Sequence, residues 1–194
     1  DRAIRKYLVD ILKELGRKQI LMIGRHISDS RWYVVRNIIT ILGESGSEEA
    51  LPYMEKVTDH KQLQIRQEVV KGLINIGGKK AAVLLTRFVN DPDFDVQLSA
   101  IRGLTVVHGA GRTEAKALTD FLENRPVKKK ENTLTIEIIK VLAKIGDRDA
   151  AEFLKRYLRI RWWRARAPQA ELKAMAEPAI EEIKRRVGDA GRAS

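Results

Sequence analysis

One pattern recurs along the chain: a leucine followed four residues later by a glycine. The pairs are Leu12 and Gly16, Leu42 and Gly46, Leu73 and Gly77, and Leu142 and Gly146, with Leu104 and His108 completing the series. Successive leucines are 30, 31, 31 and 38 residues apart. A period of this length indicates a repeat protein, in which each repeat packs on its neighbours to form a continuous core.

Each repeat has apolar residues at helical spacing on both sides of its glycine. In the third repeat, four of them lie between Ile65 and Ile76, before Gly77, and four more lie between Ala81 and Phe88. The glycine favours the left-handed conformation that ends a helix, and the small residue four positions later allows the second helix to cross closely. No segment alternates with period two, so strands are not predicted. The sequence therefore predicts an all-α fold of paired helices.

These repeats resemble HEAT repeats in their short bacterial form. The family pattern is a Val-Arg pair, a Leu-Gly pair, a turn glycine and an alanine that opens the second helix, and the third repeat matches it with Ile65-Arg66, Leu73, Gly77 and Ala81. Three other repeats depart from the pattern at the arginine position, which holds Val35, Gln97 and Thr135. The resemblance implies an α-solenoid of five to six antiparallel helix pairs, wound as a right-handed superhelix.

We predict one repeat domain over residues 1–188 and a tail at 189–194. The repeats cover about 1–28, 29–58, 59–90, 91–124 and 125–160, and a divergent terminal helix pair covers 161–188. In the fourth repeat the turn is three residues longer, so Gly111 and Ala115 are predicted to take the glycine and alanine roles. The chain begins with aspartate rather than methionine, and we expect a fragment of a longer protein. We expect a cytoplasmic location, because there is no secretory signal and no apolar stretch near the ~20 residues that span a membrane.

Residues that support catalysis are scarce. The chain has no cysteine, which excludes thiolate zinc sites, iron–sulfur clusters and cysteine nucleophiles. Its three histidines are far apart in sequence, and it has no glycine-rich phosphate loop and no GxSxG motif. We predict that the protein is not an enzyme and has no catalytic, metal or cofactor-binding residue. The resemblance leaves a HEAT-like DNA glycosylase as a remote third option.

Positive charge is concentrated in one segment. The net charge is +11, and residues 125–166 hold thirteen basic and five acidic residues. One cluster is Lys128, Lys129 and Lys130. The other interleaves arginines with tryptophans: Arg156, Arg159, Arg161, Trp162, Trp163, Arg164 and Arg166. This mixture suits phosphate contacts with stacking or cation–π contacts, although the two tryptophans could equally cap the last full repeat while the arginine stems pack on them.

A second candidate surface follows from the register of the repeats. The family resemblance implies that second helices line the concave face of the solenoid. Counting six residues from the small residue of each repeat gives His26, Lys56, Arg87, Phe121 and Arg156, which we call the ladder. Neighbouring helices lie about 8–10 Å apart, so these side chains would be spaced by that step. The alternative interpretation is a solvated face, because acidic residues flank the ladder.

The leading hypothesis is a non-catalytic protein–protein interaction scaffold. Its partner, which we expect to carry an acidic segment, would bind along the concave face or at the basic C-terminal end. The alternative is nucleic-acid binding through the same groove and the Arg/Trp segment, with an affinity that falls steeply as salt rises. No cofactor and no small-molecule substrate is predicted.

Overall fold

A computed structural model of the protein describes Ile4 and residues 19–124, 132–164 and 170–190. Across these ranges the chain is helical and contains no strand, as predicted. Its contacts divide it into two compact units, residues 1–109 and 110–194, which are described one at a time. None of the helices in the described ranges is both long and apolar enough to cross a membrane.

The first compact unit contains six helices in the described ranges. They are α1 (Ile20–Gly24), α2 (Trp32–Glu44), α3 (Leu51–Glu55), α4 (Leu63–Ile76), α5 (Gly78–Arg87) and α6 (Phe94–Val106). Short 3-10 turns at Glu48–Ala50 and Phe88–Asn90 precede α3 and follow α5. The first helices of successive repeats, α2, α4 and α6, pack side by side, and the second helices α3 and α5 lie against them. The repeat leucines Leu42, Leu73 and Leu104 are fully buried in this core.

Neighbouring first helices meet at glycines. A Cβ on Gly43 of α2 would lie only 2.6 Å from the Cα of Gly72 in α4, so Gly43 accommodates no side chain without a shift of backbone. A Cβ on Gly72 would lie 3.2 Å from the Cα of Gly43 and 2.6 Å from the Cε of Met54. A Cβ on Gly103 of α6 would likewise lie 2.7 Å from the Cδ1 of Ile74 in α4. In both contacts, the residue after one repeat's leucine faces the residue before the next repeat's leucine. The close crossing thus depends on a small residue on at least one side.

The turns of the second and third repeats are as predicted. Gly46 and Gly77 have φ angles of +63° and +69°, in the region that favours glycine. In the fourth repeat, the prediction for Gly111 is wrong. Gly111 is extended, with a φ of −163°, and the left-handed residue is Gly109, with a φ of +89°. The longer turn brings the backbone at Gly109 against that of Lys79, which leaves no room for a Cβ.

The second compact unit contains α7 (Arg112–Glu123), α8 (Asn132–Ile145), α9 (Arg148–Arg164) and α10 (Ala170–Ala190) within the described ranges. Of the segment 161–188, predicted as a divergent helix pair, the structure describes 161–164 as the end of α9 and 170–188 as part of the single helix α10, which contains Pro178. Buried residues at helical spacing, Leu172, Ala176 and Ile183 among them, continue across the proline. This unbroken apolar face packs on α8 and α9 and outweighs the hydrogen bond that proline cannot donate.

A buried ion pair joins the third repeat to the fourth. The Nε and Nη2 of Arg66 donate to the two carboxylate oxygens of Asp91, at 2.7 and 3.0 Å. Nη1 of the same arginine donates to the carbonyl of His60 at 2.9 Å. The equivalent positions Gln97 and Thr135 are also buried. The family's arginine position is therefore an interior position in these repeats, and in the third repeat it fixes the loop between α5 and α6.

Candidate functional site

Three ladder residues belong to the first compact unit, and all are exposed. His26 lies in the turn after α1 rather than on a long second helix. Lys56 follows the end of α3, and its Nζ lies 5.5 Å from the centre of the Tyr53 ring. Arg87 is the last residue of α5. The register count thus identifies solvent-facing positions at the ends of these second helices.

The two ladder arginines are ion-paired between successive second helices. Nη2 of Arg87 lies 2.5 Å from Oε1 of Glu55, and in the second compact unit Nη2 of Arg156 lies 2.8 Å from Oε1 of Glu123. Each of these side chains is about half exposed, between 47% and 55%. Such pairs contribute about 0–1 kcal/mol, because water and salt screen them. They tie repeats together weakly while reducing the positive field of the ladder.

Phe121 is not an exposed member of the ladder. Only 9% of its surface is accessible, and its neighbours Leu118 and Leu122 are buried with it. The position six residues after Ala115 faces inward here, whereas the matching Arg87 of α5 faces solvent. The residue types account for the difference, because burial of an apolar ring is favourable and burial of a charged guanidinium is costly.

The basic C-terminal cluster lies only partly within the described residues. Arg156 and Arg159 are exposed on α9, and the guanidinium of Arg156 lies 5.7 Å from the centre of the Phe153 ring. Arg161, Trp162, Trp163 and Arg164 belong to the last turn of α9, and their side chains are outside the described part of the structure. Lys128, Lys129, Lys130 and Arg166 also lie outside it. Their role in binding stays a prediction.

A pocket that the sequence did not predict adjoins the ladder in the first compact unit. It has a volume of about 400 Å³ and lies between the loop that follows α3 and the loop that follows α5. Its lining includes Thr58, His60, Lys61, Arg87 and Asn90. The register count considered only helix positions, and the pocket is built from inter-repeat loops. The adjacent His60-Lys61 pair in the loop was the available sequence signal.

His60 is held neutral in this pocket at pH 7. Its Nδ1 accepts a hydrogen bond from the backbone N–H of Gln62 at 3.0 Å, which leaves the proton of the neutral ring on Nε2. Burial, reinforced by the charges of Lys61 and Arg66, holds the pKa of His60 below its ordinary value. The ring therefore presents a hydrogen-bond donor rather than a charge. Among the residues that the structure describes, in this pocket or outside it, no three His, Asp or Glu side chains are grouped so that they could hold a metal ion.

Comparisons with known proteins agree with this architecture. Residues 23–105 match the family model for HEAT repeats. Among solved structures, an engineered protein from the Northeast Structural Genomics Consortium is similar, with a TM-score of 0.59, 16% identity, and coverage of 95% of this chain and 85% of its own. A designed armadillo repeat protein in complex with the peptide (KR)4 has a TM-score of 0.55 and 15% identity, covering 94% of this chain and 92% of its own.

A second designed armadillo repeat protein has a TM-score of 0.56 and the same identity and coverage. None of the curated proteins matches the chain in sequence. At these identities the structural likeness concerns the fold alone. The predicted fold class is confirmed: the chain has an all-helical repeat fold like that of armadillo repeat proteins, and residues 23–105 are similar to HEAT repeats.

Proposed function

We propose that the protein is a non-catalytic scaffold that binds an acidic segment of a protein partner along its second helices. The observation that supports this proposal is the exposure of Lys56, Arg87 and Arg156 at one repeated register position. Repeat folds of this kind typically bind proteins through extended surfaces. The designed armadillo neighbour is in complex with a basic peptide, (KR)4. Since this chain instead has a net charge of +11, the complementary partner is acidic.

The existing ion pairs do not block such a partner. Breaking the exposed Arg87–Glu55 pair costs about 0–1 kcal/mol. Of the guanidinium nitrogens of Arg87, Nη2 is the one that has a partner among the described residues. Its Nε and Nη1 can therefore donate to a second carboxylate. Lys56 forms no ion pair in the described ranges, and its ammonium group lies over an aromatic ring. A carboxylate-rich chain can therefore contact both side chains while Glu55 moves into solvent.

The test is the affinity of the wild-type chain for a fluorescein-labelled, glutamate-rich peptide, measured by anisotropy. The double variant Lys56→Glu, Arg87→Glu should bind about tenfold or more weakly, because each change replaces attraction with repulsion. The matched control is Lys71→Glu, Lys140→Glu, which makes the same charge change on first helices. Both controls are exposed lysines, each near a glutamate on its own helix. Equal losses in the two double variants would show that only net charge matters and would contradict the proposal.

The experiment must also distinguish an acidic protein partner from a nucleic acid. Labelled duplex and single-stranded oligonucleotides serve as competitors at about 50 and 200 mM salt, where phosphate contacts lose much of their strength. An oligonucleotide that binds more tightly than the peptide, and depends on Arg159 and Arg161, would favour the nucleic-acid alternative. Competition by peptide alone supports a protein partner.

A further inference from the structure

The lining of the pocket beside the ladder contains more cations than carboxylates. Its described lining contains three cations, Lys61, Arg66 and Arg87, and two carboxylates, Asp59 and Asp91. The Arg66–Asp91 pair neutralises itself, since both carboxylate oxygens accept from the guanidinium and the side chain of Asp91 is only 3% exposed. The charged groups left in the described lining are the cations Lys61 and Arg87 and the exposed carboxylate of Asp59.

Several of these donors have no partner within the described ranges. The ammonium of Lys61 forms no ion pair there, and Arg87 uses only Nη2, toward Glu55. The side-chain amide of Asn90 is exposed and unbonded, and neutral His60 carries its proton on Nε2. Thr58, in contrast, already donates its hydroxyl proton to the carbonyl of Glu55. The free donors thus come from both loops.

Apolar groups complete the lining. The lining includes Phe88, which is almost fully buried, and Pro92, which is exposed. The volume of about 400 Å³ is near the lower end of the range for ligand pockets, which have volumes of about 300–1,000 Å³. This combination fits a short aliphatic stem that ends in a planar anion. A bound cation would instead face the positive charges of Lys61 and Arg87, of which Arg87 is already paired with Glu55, and would find exposed Asp59 as the unpaired carboxylate of the described lining.

We propose that this pocket receives a glutamate or aspartate side chain of the bound acidic segment, with the carboxylate held between Lys61 and Arg87. This inference rests on the proposed function and adds a specificity pocket to it. The methylene groups of the guest side chain lie against Phe88 and Pro92, and His60 and Asn90 donate to its remaining oxygen lone pairs. The guest's charge is recognised by an ammonium, Lys61 in the loop before α4, and by a guanidinium, Arg87 at the end of α5.

The experiment uses the full chain and four alanine variants. Lys61→Ala and Asn90→Ala alter the pocket but not the ladder, Lys56→Ala alters the ladder but not the pocket, and Lys71→Ala is the control on a first helix. All four side chains are exposed, so the fold should survive, and thermal melts check this. The probes are the labelled glutamate-rich peptide, its glutamine-substituted version and a phosphoserine peptide of the same length.

A second readout reports occupancy of the pocket directly. The ring protons of His60 are followed by NMR during titration with the peptide. A bound carboxylate raises the pKa of His60, because a negative charge nearby favours the protonated ring. The carboxylates of Asp59 and Asp91 act in the same direction, and the positive charges of Lys61, Arg66 and Arg87 act in the opposite one. We expect the His60 resonances of the wild type to shift when the glutamate-rich peptide is added. The Lys61→Ala variant should bind that peptide about fivefold more weakly, and the glutamine-substituted peptide should bind the wild type weakly.

Each remaining outcome contradicts a different statement. If the glutamate peptide binds and depends on Lys56, but Lys61→Ala and Asn90→Ala behave like the control and His60 does not respond, the pocket inference is wrong and the scaffold proposal stands. If the acidic peptide fails to bind the wild type, the scaffold proposal fails and the pocket inference fails with it. If only the phosphoserine peptide shifts His60, the pocket recognises phosphate rather than carboxylate.

Discussion

The buried Arg66–Asp91 pair should contribute far more to stability than the exposed Arg87–Glu55 pair, although both join successive repeats. Asp91 accepts three hydrogen bonds: two from the guanidinium, at 2.7 and 3.0 Å, and one from the backbone N–H of Asp93 at 2.9 Å. The Asp91→Ala variant leaves Nε and Nη2 of Arg66 without acceptors, and the arginine side chain is only 11% exposed. Removing one partner of a buried pair costs about 3–5 kcal/mol, because the other charge is left uncompensated.

Urea denaturation followed by circular dichroism measures this loss. With an m-value of about 2 kcal/mol/M, a loss of about 4 kcal/mol lowers the midpoint for the first compact unit by about 2 M. Hydrogen exchange of amides in α4 and α6 assigns the change to this unit rather than the second. The double variant Arg66→Met, Asp91→Ala should lose much less than the sum of the single variants, because it leaves no unpaired charge.

The matched comparison is Glu55→Ala, which breaks an inter-repeat pair whose side chains are about half exposed. Its expected cost is about 0–1 kcal/mol. The reasoning would be refuted if Asp91→Ala and Glu55→Ala lowered stability equally. It would also be refuted if the Arg66 and Asp91 losses simply added in the double variant.

Three further perturbations test the packing, the turn and the pocket. Gly43→Ala should lose about 1–3 kcal/mol, because its Cβ would meet backbone at 2.6 Å, whereas Gly188→Ala, with open space around it, should gain up to about 1 kcal/mol in the same urea assay. Gly77→Val should lose about 1–3 kcal/mol, since its φ of +69° and ψ of −165° belong to a region that only glycine readily adopts. Gly111→Ala, at an extended position with no neighbour within 4 Å, should change the melting temperature little. Because the pKa of His60 is lowered in the folded chain, the unfolded chain binds a proton at this residue more readily than the folded chain does. The contribution of neutral His60 to the free energy of unfolding is therefore lost as the pH falls below about 6.5. Unfolding free energies of wild type and His60→Gln at several pH values between about 7 and 5 should diverge in that direction, and parallel curves would contradict it.

Local patterns predicted the helices well, because each one depends on residues close in sequence. The apolar spacing around Leu73 and the glycine at Gly77 define α4, its turn and α5 without any knowledge of the rest of the chain. The errors arose where a distant contact decides. The left-handed residue is Gly109 rather than Gly111, and the backbone of Gly109 lies against Lys79, about thirty residues earlier in the chain, where a Cβ would not fit.

The candidate site was predicted less well for the same reason. Counting positions along a helix correctly identified Lys56 and Arg87 as exposed, yet it gave no indication that Glu55 and Glu123 would pair with the ladder arginines. Nor did it show that Phe121, at the same register position of α7, would be buried. The pocket brings together two loops about thirty residues apart, and such proximity depends on how closely α3 and α5 pack.

The glycine contacts between first helices also restrict the order in which these repeats can be arranged. Ile74 fits beside α6 because the residue before Leu104 is Gly103. In the second repeat, the residue before Leu42 is Ile41, so a copy of that repeat placed after α4 would set two isoleucines where the native crossing holds one. The repeats share a period but are not exchangeable modules. Duplication or shuffling within this array would therefore require compensating changes at the residues that flank each leucine.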